Sequence, residues 1–223
     1  MRMALLFKEL RECSLYAGLA LIAVLHCIGS GMDLPLIPFL SSPRGQEIPF
    51  LTFFSGSGRE VMFTSIAIIA AVVLGLHQSL WESWRQTTLF LLHLPMSRTE
   101  IFLHKLFAGT AIILSITSVP LLVYSVWAAT PGTHASPFFW GMTDPWWRSI
   151  AIAVVCYLGA FQTGLRPAHW LGSRTWPFVA ALILSLLLKC DQVWMSIAYL
   201  GFAVLIVCFT ITILETARIR EFP

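Results

Sequence analysis

Apolar residues run through this chain in long blocks, and polar residues gather between them. Blocks at residues 14–28, 61–77, 98–129, 146–165, 175–190 and 193–216 approach or exceed the roughly 20 residues a helix needs to cross a hydrocarbon layer about 30 Å thick. In lipid, a segment must satisfy its own backbone N–H and C=O groups, so blocks of this kind are predicted to be helices. The fourth and fifth are near the short limit and fit either full crossings or re-entrant helices packed against protein. The pattern predicts an all-α integral membrane protein of about six spans, with residues 1–223 forming a single transmembrane domain.

The connections carry patterns of their own. Met3, Leu6, Phe7 and Leu10 recur at helical spacing, while Arg2, Lys8, Glu9, Arg11 and Glu12 fill the other side, so residues 1–13 read as an amphipathic helix lying on the membrane surface. Gly29-Ser30-Gly31 and Pro35, Pro38, Pro43 and Pro49 then break any helix before the second block. Between the second and third blocks, residues 78–95 read as a further helix outside the membrane. Trp81, Trp84, Thr88 and Leu91 share one face, Glu82 and Arg85 pair on another, and Pro95 ends the element. Ser97-Arg98-Thr99-Glu100 then fits a capping box, with Met96 and Ile101 as its hydrophobic staple. A sharply capped start fixes the angle between residues 78–95 and the next span.

Composition narrows the function classes. Of 223 residues, 57% are hydrophobic and 11% charged, against about 25% charged in a typical soluble domain. The formal charge of +3 comes from scattered residues and not from a stripe, which argues against nucleic-acid binding. Ten of the 14 Lys and Arg fall on the side of the N-terminus, and four (Arg44, Arg59, Arg148 and Lys189) on the other. The positive-inside bias therefore predicts that both termini are cytoplasmic. Trp127, Trp140, Trp146, Trp147 and Trp194 fall at expected outer borders, and Trp81, Trp84, Trp170 and Trp176 at inner ones, as two aromatic belts.

Candidate chemistry is sparse. Cys13, Cys27, Cys156, Cys190 and Cys208 lack metal-ligand spacing and read as small buried hydrophobes. His26 in the first span, Gln162 in the fourth and Ser118 in the third are candidate translocation-path residues. The plainer role for each is a hydrogen bond tying neighbouring helices. Lys189 and Asp191 read as a solvated outer turn. Ser55-Gly56-Ser57-Gly58 superficially suggests an intramembrane serine hydrolase, but no His lies in the last two spans to activate it. No GxxxxGK[ST] motif is present, and neither a metal nor a cofactor is predicted. A membrane scaffold without transport activity is the remaining alternative.

The segment around Pro95 resembles the first cytoplasmic loop of ABC-2 type permeases, the membrane subunits of ATP-binding-cassette exporters. The resembling features are Glu82, Thr88-Leu89, Leu91-Leu92, Pro95, Ser97-Arg98 and Lys105. Thr87 stands where that family commonly has Gly, and only a turn around Asp191 stands where it often has re-entrant helices. The resemblance implies a coupling helix docking on an ATPase subunit through Glu82, Arg85, Thr88, Leu89, Leu92 and Pro95, with Ser97 and Glu100 capping the span behind it. It implies separate ATPase subunits that bind the ATP, a second permease copy or a sister permease, surrounding lipid, and a prokaryotic cytoplasmic (inner) membrane.

Overall fold

The computed structural model describes residues 2–29, 58–81, 97–130, 138–166, 173–189 and 194–219. They form α1 (Arg2–Gly29), α2 (Gly58–Leu76) continued by a π-helical turn (His77–Trp81), α3 (Arg98–Ala129), a 3₁₀ turn (Trp140–Thr143) leading into α4 (Asp144–Leu165), α5 (Trp176–Lys189) and α6 (Met195–Ile219). No strand occurs among the described residues. Five helices are long and apolar enough to cross a membrane, and the shorter apolar α5 accompanies them. The chain is therefore an all-α, multi-pass membrane protein.

The helices alternate in direction. The starts of α1 and α3 and the ends of α2, α4 and α6 share one end of the bundle, here the near end. There Cys13, Leu106, Leu165, Ile213 and Ala217 pack in a single core cluster. At the far end Val24, Cys27 and Ile28 of α1 meet Phe63, Leu121, Tyr124 and Trp146.

The bundle is organised around α4, where every residue from 152 to 165 is buried. It packs on α2, α5, α6 and α3. Ala153, Gly159, Ala160 and Gly164 give it the small surfaces that let neighbouring helices approach without a large apolar driving force between them. With the preceding 3₁₀ turn, α4 covers 26 residues and is long enough for a full crossing. By contrast, α6 shows Ile197, Leu200, Val204, Val207 and Ile211 to its surroundings in one stripe, as a peripheral helix facing lipid does.

Two expectations change here, and the fifth block is short, as its length indicated. Residues 2–13 are not a separate surface helix but the first turns of α1, continuous with the span. Residues 78–81 are not the start of a helix outside the membrane, because they extend α2, and Gln78 and Ser79 are buried in the bundle. At 14 residues, or about 21 Å at 1.5 Å per residue, α5 is shorter than a full crossing. Residues 82–96 lie outside the described residues.

Candidate functional site

The near end contains a polar junction made by four helices. Glu9 of α1 and Lys105 of α3 are 1% and 2% exposed, and their carboxylate and ammonium are 3.8 Å apart. Gln78, in the π-helical turn after α2, donates through Nε2 to Glu9 Oε2 at 3.3 Å. The Tyr157 hydroxyl of α4 donates to Gln78 Oε1 at 2.6 Å and lies 3.4 Å from the backbone carbonyl of Lys105. The amide thus has a fixed orientation, its oxygen accepting from the phenol while its nitrogen donates to the carboxylate. Such a chain of bonds is mutually reinforcing inside a low-dielectric core.

Local sequence explains the geometry. Gly109 of α3 lies against the Tyr157 hydroxyl, and a Cβ there would overlap it. Gly75 of α2 sits where a Cβ would come within 2.7 Å of the Tyr157 carbonyl oxygen. These two glycines let α2, α3 and α4 close on one tyrosine. The Ser79 hydroxyl bonds back to the carbonyls of Gly75 at 2.7 Å and Leu76 at 3.3 Å, occupying acceptors in the turn where the helix widens. Tyr16 of α1 and Trp81 flank the His77 ring at 4.6 and 5.7 Å. A π-helical turn is rare and recurs at functional positions. This one delivers Gln78 to the junction immediately before residue 82.

Glu9 Oε1 accepts no hydrogen bond, and the ion pair is a charge contact at 3.8 Å. Gln78 and packing hold the junction together beside this charge contact. It offers no activated nucleophile and no open approach for substrate. What it does is tie the start of α1, the end of α2, the start of α3 and the middle of α4 to one another.

Two further polar clusters stand at the far end. Lys189, the last residue of α5, reaches Glu60 at 2.8 Å, Thr64 at 2.7 Å and Ser149 at 3.0 Å. It is an internal clamp on α2 and α4, with its side chain 20% exposed, and not a fully solvated turn. Asp191 lies outside the described residues. Asp144 accepts from Arg148 at 2.8 Å and from the Tyr199 hydroxyl at 2.7 Å, joining α4 to α6.

The predicted site residues fare differently. Glu82, Arg85, Thr88, Leu89, Leu92 and Pro95, with Ser55 and Ser57, lie outside the described residues. Ser97 has extended N-cap geometry, and its hydroxyl accepts from the Glu100 N–H at 3.2 Å, as half of the expected capping box does. Ser118 donates to the Leu114 carbonyl one turn back in its own helix, and Thr117 to Ile113, so neither hydroxyl ties α3 to a neighbour. His26 is 8% exposed, and its Nδ1 has no hydrogen-bond partner. Gln162 lines an open groove between α4, α5 and α6. No hydrogen bond among the described residues brings His26, Ser118 and Gln162 together, and they lie on three different helices.

Two other expectations are corrected. Trp146 is 0% exposed and packs its ring 4.8 Å from Phe63, so it is a core residue and not part of an aromatic belt. Cys13, Cys27 and Cys156 are buried as expected, but Cys208 is exposed on α6. The sequence reading missed the junction because Glu9 fits a surface-helix pattern and Gln78 carries no motif. A carboxylate, an amide and an ammonium near the ends of three consecutive apolar blocks were the available signal.

Fold and junction together define a multi-pass helical membrane protein braced near one end by buried charges. No family model, curated protein or solved structure matches the chain.

Proposed function

We propose that the chain is the permease subunit of an ABC-2 type ATP-binding-cassette exporter. Separate ATPase subunits bind and hydrolyse the ATP, and a second copy or a sister permease completes the pathway in a prokaryotic cytoplasmic membrane. Both termini face the cytoplasm, on the same side as residues 82–95.

The observation that carries this reading is the placement of Gln78. It lies four residues before Glu82 in the chain and is bonded to Glu9 of α1 and Tyr157 of α4. On the other side of the segment, Ser97 caps α3 through the Glu100 N–H. Residues 82–96 are therefore bounded by two anchored helix ends. A displacement imposed on that segment reaches α2 through the π-helical turn and α3 through its cap, and the junction passes it to α1 and α4. A bundle driven by an external ATPase needs this type of linkage, because packed helices answer a local push by moving together.

The test is co-purification of the full-length chain with an ABC ATPase subunit in nanodiscs. The wild type is expected to retain the ATPase, and Glu82→Arg is expected to lose most of it. Gln78→Leu is expected to keep the ATPase bound while permease-dependent stimulation of hydrolysis falls. Absence of any retained ATPase with the wild-type chain sinks the proposal.

A further inference from the structure

A groove of about 380 Å³ opens between α4, α5 and α6 at the near end. Its floor and walls are almost entirely apolar, with Ala180, Leu205 and Phe209 along its length. Two polar groups from α4 stand at one end of it, Gln162 and Arg166.

Gln162 is 4% exposed. Unlike the other buried amide, that of Gln78, it makes no hydrogen bond to a described residue, although its side chain lines the groove. A buried amide without a partner costs free energy, and the groove that Gln162 lines is a space from which a partner can come. Arg166 spends one N–H on the Ser173 carbonyl at 3.3 Å and forms no ion pair with a described carboxylate, which leaves further donors of its fork for a ligand. From the level of Trp176 the groove extends up α5 to Leu184, about 12 Å at 1.5 Å per residue. Its polar end is at the end of α4, and its apolar end lies further along α5 and α6. That is the polarity of an amphiphile standing in a membrane.

We infer that this groove holds one anionic phospholipid. The phosphate sits on the Arg166 guanidinium, an acyl ester carbonyl accepts from the Gln162 amide, and one acyl chain lies along Ala180, Leu205 and Phe209. Charge selects the class of lipid, since Arg166 is matched by no described acid. The assignment does not depend on the transport reading, because it follows from the groove alone.

Cys208 lines the same groove and is exposed, which makes it a native reporter. The full-length chain in detergent is treated with a maleimide, and modification of Cys208 is followed by peptide mass mapping. The probes are phosphatidylglycerol, phosphatidylcholine with the same acyl chains, and inorganic phosphate. Phosphatidylglycerol is expected to slow modification roughly tenfold more than phosphatidylcholine, the contrast expected of one charge-assisted hydrogen bond. Arg166→Gln is expected to erase the difference between the two lipids, and Ala180→Phe to erase protection by either. Native mass spectrometry should show one phosphatidylglycerol retained by the wild type and none by Ala180→Phe. Should Ala180→Phe not fold, Arg166→Gln, at the exposed end of α4, decides alone. Equal protection by both lipids overturns the inference, as does protection unaffected by these substitutions. Protection by inorganic phosphate alone overturns it in favour of a soluble anion.

Discussion

Glu9 and Lys105 show how a membrane interior sets the value of a single residue. With side chains 2% and 3% exposed, neither can be discharged into water, and each is tolerated because the other is present. Replacing Lys105 with Met leaves the buried carboxylate without its cation, and Glu9→Leu takes the carboxylate away from the buried ammonium. Each change is expected to destabilise by about 3–5 kcal/mol, the usual range when one partner of a buried pair is removed. The double variant Glu9→Leu/Lys105→Met should recover most of that loss, because replacing both charges with apolar groups removes the mismatch. Unfolding in mixed detergent micelles, compared across the four proteins of the cycle, checks this; single losses below about 1 kcal/mol would mean that the pair is wet. Gly109→Ala is a second residue-scale test. Its methyl group would overlap the Tyr157 hydroxyl, and a loss of roughly 1–3 kcal/mol is expected from overpacking in the same assay. Neither feature was legible beforehand, since helical periodicity defines a polar face without saying what meets it. Glu9 therefore fitted a helix lying on the membrane as well as one buried against Lys105.

For elements, legibility depended on length. The long blocks were found from hydropathy because the bilayer imposes a minimum of about 20 residues, and α3 begins at Arg98 and ends at Ala129 as the pattern predicted. The second block was expected over 61–77 and spans Gly58 to Trp81. Its first and last described turns carry polar residues that find partners inside the bundle, namely Glu60 with Lys189 and Gln78 with Tyr157. A hydropathy pattern counts apolar residues alone, whereas the bundle also takes in polar residues that find partners there. Lys189 follows the same logic. A lysine at the end of a short apolar helix reads as one that snorkels to the headgroups, yet it bonds Glu60, Thr64 and Ser149 and so pins α5 to α2 and α4. Lys189→Ala is expected to cost about 3 kcal/mol, the lower end for a buried pair because the lysine side chain retains 20% exposure. A snorkelling lysine would cost within about 0.5 kcal/mol on removal, as surface substitutions do. Thermal unfolding in detergent separates the two outcomes.

Across the whole molecule, the short helix α5 raises the question of how the chain returns from the near end to the far end between α4 and α6. The contacts supply the answer. Gly159 of α4 lies so close to α5 that a Cβ there would come within 3.0 Å of the Pro177 carbonyl oxygen, whereas Lys189 reaches Ser149 near the other end of α4. Thus α5 runs antiparallel along the buried central helix and covers most of its height, and Tyr199 of α6 is already bonded to Asp144 at the far end. A helix of 14 residues can do this because it lies against α4, where its ends meet protein as well as lipid. The bundle therefore has its helix ends in two sets. One contains Ser97, Arg166 and Ile219, and the other contains Thr130, Trp140 and Trp194. Single cysteines placed at Ser97 and Arg166, in a background lacking the native thiols, are expected to react with a membrane-impermeant maleimide from one side of sealed vesicles. Cysteines at Thr130 and Trp194 should react only from the other. Were Arg166 and Trp194 labelled from the same side, α5 would turn back within the membrane and the groove it walls would open on one face only. Labelling from opposite faces instead requires residues 166–194 to traverse the bilayer, with Lys189 carrying its charge to the far side and binding Glu60 there.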